Sequence, residues 1–187
     1  MDSALQQTLV DAASMLEARG IPFAVIGGLA VSFRGQPRMT IDVDLVIQAD
    51  VDAALRLLKT LEDAPFAPLF ADVEQVVTTA FILPLRHRRT GVRLDVAIGM
   101  SGFEQDAVRR ATAVDVGGAS VPVATLEDLL VMKALAGRPQ DDQDIRGLVA
   151  AGKATIDWGR CLAVADALGS AIDLDIAARL RAARSSG

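Results

Sequence analysis

The chain has 187 residues, of which 51% are hydrophobic, 23% charged and 4% aromatic, and its 19 basic and 24 acidic side chains leave a net charge of −5. That length and apolar content suit one ordinary domain, or a core with a small appendage, and exclude a disordered chain. The acidic balance, with a pI near 4.8, excludes a general nucleic-acid coat. The single cysteine, Cys161, excludes an internal disulfide framework and any multi-cysteine metal site.

Mean hydropathy is +0.35, yet no stretch approaches the roughly 18 uninterrupted apolar residues of a spanning helix. The opening MDSALQQTLVDAASMLEARG has early acids and no basic region, unlike a secretory signal. The expectation is a cytoplasmic protein with no membrane partner.

In chain order, residues 4–19 place Leu5, Leu9, Ala12, Ala13 and Leu16 at helical spacing, and Gly20 and Pro22 stop the helix. FAVIGG reads as a short buried strand broken at a double glycine, followed by a short helix from Leu29 to Phe33. RMTIDVDLVI alternates: Ile41, Val43, Leu45 and Ile47 are expected on one face, and Asp42, Asp44 and Val46 on the other. Residues 49–61 form an amphipathic helix opened by Asp50 and Asp52, and residues 64–76, rich in proline and phenylalanine, are expected to be irregular. TTAFILPLRHRRTGVRLDVAIG reads as a hairpin around a basic turn, and ATAVDVGGASVPVA as a smaller one. From Thr125 onward the pattern is helical, in four segments. The expected fold is α+β, a mixed sheet core flanked by helices (residues 1–124) with a helical C-terminal region (125–187) packed on it.

The residues that can carry chemistry follow the glycine pair. Asp42 and Asp44, at i and i+2 on one strand, project from the same face. Carboxylates so placed repel each other, and a bound cation is the natural compensation; hard oxygen donors favour Mg²⁺ or Mn²⁺ over zinc. Asp95, in the later strand RLDVAI, is expected beside the same face. Three such carboxylates suit a two-metal phosphoryl or nucleotidyl transfer site. Gly27 and Gly28, between strand and helix, would let phosphate oxygens approach the backbone.

Other residues have blander readings. Arg86, His87, Arg88, Arg89 and Arg93 form a basic cluster that is either a solvated hairpin tip or a contact for a polyanion. His87 is expected at the surface, Cys161 as a buried structural thiol, and Trp158 as a packing anchor. Lys133, alone in an apolar helix, either takes part in function, snorkels to solvent, or pairs with Glu127 or Asp128. Asp141, Asp142 and Asp144 serve the site or merely cap the next helix.

IGGLAVSFRGQPRMTIDVDLVI resembles the glycine-pair and DxD signature of the polymerase-β-like nucleotidyltransferase superfamily, and RLDVAI resembles its third-aspartate strand. KALAGRPQDDQDI is similar to a segment of the AbiEii-type toxins of toxin–antitoxin systems, and lincosamide-type antibiotic nucleotidyltransferases share a similar first half. The resemblance spans residues 20–146. It implies that Gly27 and Gly28 contact nucleotide phosphates and that Asp42, Asp44 and Asp95 are metal ligands, Asp95 alternatively the base. It further implies that Arg38, Thr40, Lys133, Asp141 and Asp144 lie near the nucleotide. Gly28 stands where many members have a phosphate-binding serine, and Gln140 where a lysine is common.

The resemblance implies a Mg²⁺-dependent enzyme moving an NMP from an NTP to an acceptor hydroxyl, toxin-like, with RNA or protein as acceptor and an antitoxin as possible partner. The alternatives are an antibiotic-type small-molecule acceptor and a non-catalytic binding module of the same fold.

Overall fold

The computed structural model describes residues 1–35, 37–152 and 154–186. Among them the chain forms a seven-stranded mixed sheet with helices, and it divides into two compact units. The first comprises Met1–Leu29 and Met39–Ala124, the second Ala30–Arg38 and Thr125–Gly187. No helix among the described residues is long and apolar enough to cross a membrane.

The first unit opens with α1 (Ser3–Glu17), capped by the Asp2 carboxylate, which accepts from the Ala4 N–H. Its expected apolar stripe, Leu5, Leu9, Ala12, Ala13 and Leu16, is buried. The strands are β1 (Phe23–Ile26), β2 (Asp42–Ile47), β3 (Phe66–Pro68), β4 (Ile82–His87), β5 (Arg93–Ile98), β6 (Thr112–Val116) and β7 (Ala119–Val123), in the order β3-β4-β5-β2-β1-β7-β6. β1 runs antiparallel to β2 and parallel to β7, whereas β2 and β5 are parallel. The helix α2 (Gly27–Phe33) follows β1 directly, α3 (Val51–Lys59) and α4 (Val73–Ala80) lie between β2 and β4, and α5 (Gly102–Arg110) follows β5.

Alternation separates the two faces of the sheet. Val43, Leu45 and Ile47 of β2, with Leu94, Val96 and Ile98 of β5, are buried on one face, which is the α1 side. On the other face, Ala24, Val46 and Ala97 pack against Val108 of α5 and against Ala111.

Several local expectations need correction. Residues 64–76 are not wholly irregular, since they contain β3 and the start of α4. β2 begins at Asp42, not before: Met39 and Ile41 continue the alternation but are 94% and 84% exposed. The helix α5 was not anticipated. Its sequence GFEQDAVRR is polar, but it carries a capping box in which the Ser101 side chain accepts from the Glu104 N–H and the Glu104 carboxylate accepts from the Ser101 N–H.

In the second unit, α6 (Leu126–Ala136) packs against α7 (Pro139–Gly152), α8 (Trp158–Ile172) and α9 (Ile176–Ser186). α6 is its central helix, with Leu129, Leu130, Val131 and Ala134 all buried. Thr125 caps its start by accepting from the Asp128 N–H, and Gly137, at φ 63°, ends it in the left-handed conformation that glycine tolerates best.

Candidate active site

The parallel register of β2 and β5 sets Asp44 beside Asp95 and Asp42 beside Arg93. All four side chains therefore leave the sheet on one face, adjoining the row that α5 covers. The Asp44–Asp95 row continues to Ile26 on β1 and Pro84 on β4. Carboxylates directly opposite one another on neighbouring strands repel, so this row is not one that sheet stability selects.

The main chain thus brings the expected triad to one surface, but hydrogen bonds hold two of its side chains elsewhere. Arg93 Nε donates to Asp95 Oδ1 at 2.8 Å, and Thr40 Oγ1 donates to Asp42 Oδ1 at 2.8 Å. The hydrogen bond to Asp95 raises the pKa of the Arg93 guanidinium; burial opposes this, and the charges of Asp95, Asp42 and Asp44 add to it. Among the described residues, no three His, Cys, Asp or Glu side chains stand close enough together to hold a metal ion. The donor set nevertheless has the hard-oxygen chemistry of Mg²⁺ or Mn²⁺, and Arg93 already places one positive charge in its field. The residues fit a divalent cation in type and register, while hydrogen bonds hold the side chains of Asp42 and Asp95.

Gly27 has a task the sequence did not disclose. It opens α2 at φ 66°, a conformation costly for other residues. A Cβ there would run into the Asp44 carboxylate and lie 2.7 Å from the Asp44 Cβ. The space above Gly27 is therefore where Asp44 lies. Gly28, the next residue of the turn, is buried.

The remaining candidates belong to the second unit. Lys133, 4% exposed, places Nζ 3.1 Å from Asp141 Oδ1 and 2.8 Å from Asp144 Oδ2. Arg38 Nη1 reaches Asp144 Oδ2 at 2.7 Å, and Arg138 binds Asp141 through both its guanidinium and its backbone N–H. Burial alone would raise the Asp141 pKa, but the hydrogen bonds from Arg138 and Lys133 outweigh it and bring it down to about 2. Lys133 pairs with these aspartates, not with Glu127 or Asp128. A separate depression of about 370 Å³ at the α8–α9 turn, lined by Asp166, Asp173, Asp175 and Arg181 among others, contains none of the expected site residues.

His87 is not a surface residue: it is 1% exposed and meets the buried Phe66 ring edge-on, with centroids 5.1 Å apart. The Thr90 N–H donates to Nδ1 at 3.0 Å, so Nε2 carries the proton and donates to Asp11 Oδ2 at 2.8 Å. Thr8 and Thr90 hydroxyls lie 2.7 Å apart beside this pair. The basic turn is thereby pinned to α1. Cys161 is buried as expected, and burial, with Glu127 nearby, raises its pKa to about 12. Trp158 is half-buried, with the Arg184 guanidinium 6.0 Å from its ring centroid.

A mixed sheet with acids on two adjacent parallel strands, beside a glycine turn that enters a helix, has the layout of a nucleotidyltransferase. The model of the family described as nucleotidyltransferase of unknown function (DUF6036) matches residues 3–177, and the chain belongs to that family.

Solved structures are similar to it. An antigenic nucleotidyltransferase-like protein from Paracoccidioides brasiliensis is 24% identical at TM-score 0.56, covering 80% of this chain and 76% of that one. The lincosamide antibiotic adenylyltransferase LnuA, solved with lincomycin bound, is 16% identical at TM-score 0.54, covering 81% of this chain and 98% of its own. The antibiotic-resistance factor ANT(2'')-Ia is 12% identical at TM-score 0.55, covering 100% of this chain and 96% of its own. At these identities the likeness shows the fold. No curated protein matches the sequence.

Proposed function

We propose that the protein transfers a nucleoside monophosphate from an NTP to an acceptor hydroxyl at the face carrying Asp42, Asp44 and Asp95. The observation that carries this reading is the β2–β5 register, which sets Asp44 beside Asp95 while Gly27 leaves room for the Asp44 carboxylate. Asp42, Asp44 and Asp95 would hold Mg²⁺ or Mn²⁺, which when bound neutralises triphosphate charge and acidifies the acceptor hydroxyl. Gly27, whose missing Cβ makes room for the Asp44 carboxylate, and the buried Gly28 form the strand-to-helix turn beside which the nucleotide phosphates would lie. Thr40 orients Asp42 through its hydrogen bond.

In the reaction the acceptor oxygen forms a bond to the α-phosphorus. The bond from that phosphorus to the bridging oxygen breaks, and its electron pair leaves with pyrophosphate. The acceptor proton passes to Asp95 where that carboxylate serves as the base instead of as the third metal ligand. Positioning and preorganised charge supply most of the acceleration. Lys133, Asp141 and Asp144 hold the helical unit together and keep Arg38 in place.

Two acceptor classes remain in this reading. A toxin-like enzyme modifying RNA or protein, with an antitoxin as partner, rests on the segment KALAGRPQDDQDI. A small-molecule acceptor is favoured by the basic hairpin: Arg86 donates to the Gly91 carbonyl, and Arg88 to those of Ala64 and Leu61. Two of its guanidinium groups thus close the fold instead of tracking a polyanion.

Incubation with each α-³²P-labelled NTP and Mg²⁺ tests the proposal, with total RNA, the protein itself and small hydroxylated antibiotics as acceptors. The expected result is labelled acceptor, lost by about a thousandfold in Asp42→Asn/Asp44→Asn, the scale at which losing metal-based charge stabilisation removes several kcal/mol of transition-state stabilisation. Nucleotide binding with no transfer to any acceptor would replace the enzyme by a binding module.

A further inference from the structure

Arg93 has no assigned part in the chemistry above, and its placement is unusual. It shares a strand face with Asp95 two residues on and is the cross-strand neighbour of Asp42. Its Nε lies 2.8 Å from Asp95 Oδ1, and its side chain is 48% exposed against 20% for Asp95. A pair so exposed is held weakly. Yet it fixes one of the two carboxylates that hydrogen bonds hold, and the one whose partner is itself a cation.

We propose that Arg93 is a removable counter-ion: it occupies Asp95 in the metal-free protein, competes with the divalent cation for that carboxylate, and so sets metal affinity. The proposal rests on the metal-binding reading of Asp42, Asp44 and Asp95. Arg93 is a positioning residue here, acting through Asp95. The exchange forms no covalent bond: one cation leaves a carboxylate and another takes its place. The same two residues then act in opposite senses, Asp95 drawing the metal in and Arg93 holding it off.

Its test is Mn²⁺ binding, followed by electron paramagnetic resonance and titration calorimetry without nucleotide. The proteins are the full chain, Arg93→Met, Arg93→Lys and the Asp42→Asn/Asp44→Asn control. Arg93→Met is expected to bind Mn²⁺ about fivefold more tightly than the wild type, the effect of releasing one weak ion pair. Arg93→Lys, which keeps the charge, is expected to stay near the wild type.

Equal or weaker binding in Arg93→Met, with wild-type binding lost in the aspartate control, would overturn the counter-ion role and leave the metal reading standing. No Mn²⁺ binding by either the wild type or Arg93→Met would overturn both. Equal tightening in Arg93→Met and Arg93→Lys would also overturn it, since charge would then not be the cause.

Discussion

The molecule contains two clusters built from the same residue types, and they are set up for opposite purposes. In the helical unit, Asp141 is fully buried and receives hydrogen bonds from Lys133 and Arg138, while Asp144 is 4% exposed and shared by Lys133 and Arg38. In the sheet unit, Asp42, Asp44 and Asp95 are only half-buried, and Asp95 is met by an arginine that is itself largely exposed. Buried carboxylates must be saturated or their desolvation is not offset, so the first cluster is locked. Carboxylates open to solvent can exchange partners at little cost, so the second can change its occupant. Burial, more than composition, separates the scaffold cluster from the proposed site.

The sharpest way to break this contrast is to remove one charge from each cluster. Lys133→Met is expected to destabilise the protein by about 2–3 kcal/mol in urea unfolding, because it removes the cation that two buried carboxylates share and leaves them to Arg138 and Arg38. Asp44→Asn, which eases repulsion on the open face, is expected to leave stability within about 0.5 kcal/mol while abolishing transfer. A Lys133→Met protein as stable as the wild type would remove the distinction between the clusters.

Acid sharpens the contrast further. The Asp141 pKa is lowered to about 2, from 3.8 in the unfolded chain. The lowered folded value means that its contribution, about 2 kcal/mol, is present above pH 3.8 and is lost as pH falls toward 2. Urea midpoints measured from pH 5 to pH 2 should therefore fall, and should do so less in Asp141→Asn. A parallel loss in both proteins would assign the acid sensitivity elsewhere.

Gly27→Ala adds a single methyl group and is the most local of these changes. It forces an L-residue into φ 66° and displaces Asp44, at an expected cost of about 1–2 kcal/mol. Transfer should fall far more than stability, measured side by side on one preparation. Retained activity would show that Asp44 can serve from another position.

Much of this was readable beforehand, where the signal was local. The alternation in DVDLVI put Asp42 and Asp44 on one face, and the double glycine marked the end of β1. The same alternation misled at Ile41, because periodicity does not say where a strand's hydrogen-bonded partners begin. β5 pairs with β2 only from Asp42 onward, and β1 only from Asp44. The run VEQVVTTA in α4 has the β-branched content of a strand, and its helical state is decided by tertiary packing.

The non-local partners were beyond reach. The Asp95 strand was expected beside the face of Asp42 and Asp44, but nothing near Arg93 shows that it lies opposite Asp42, and the Asp11 carboxylate that binds His87 is 76 positions away. For α5 a usable signal existed, the serine and glutamate of its capping box at Ser101 and Glu104.

The pin between α1 and the β4–β5 turn bears on the order in which the chain folds. Thr8 meets Thr90 across a separation of 82 positions, and Asp11 meets His87 across 76. On a ribosome adding about 5–20 residues per second, the first helix waits roughly 4–16 seconds for the turn that secures it. During that interval its apolar stripe has only part of the sheet to cover it. Closing so long a loop gives the sheet unit a high contact order, and slow folding is the kinetic consequence. The nascent chain is therefore most exposed to aggregation just before the hairpin bearing Asp95 is complete.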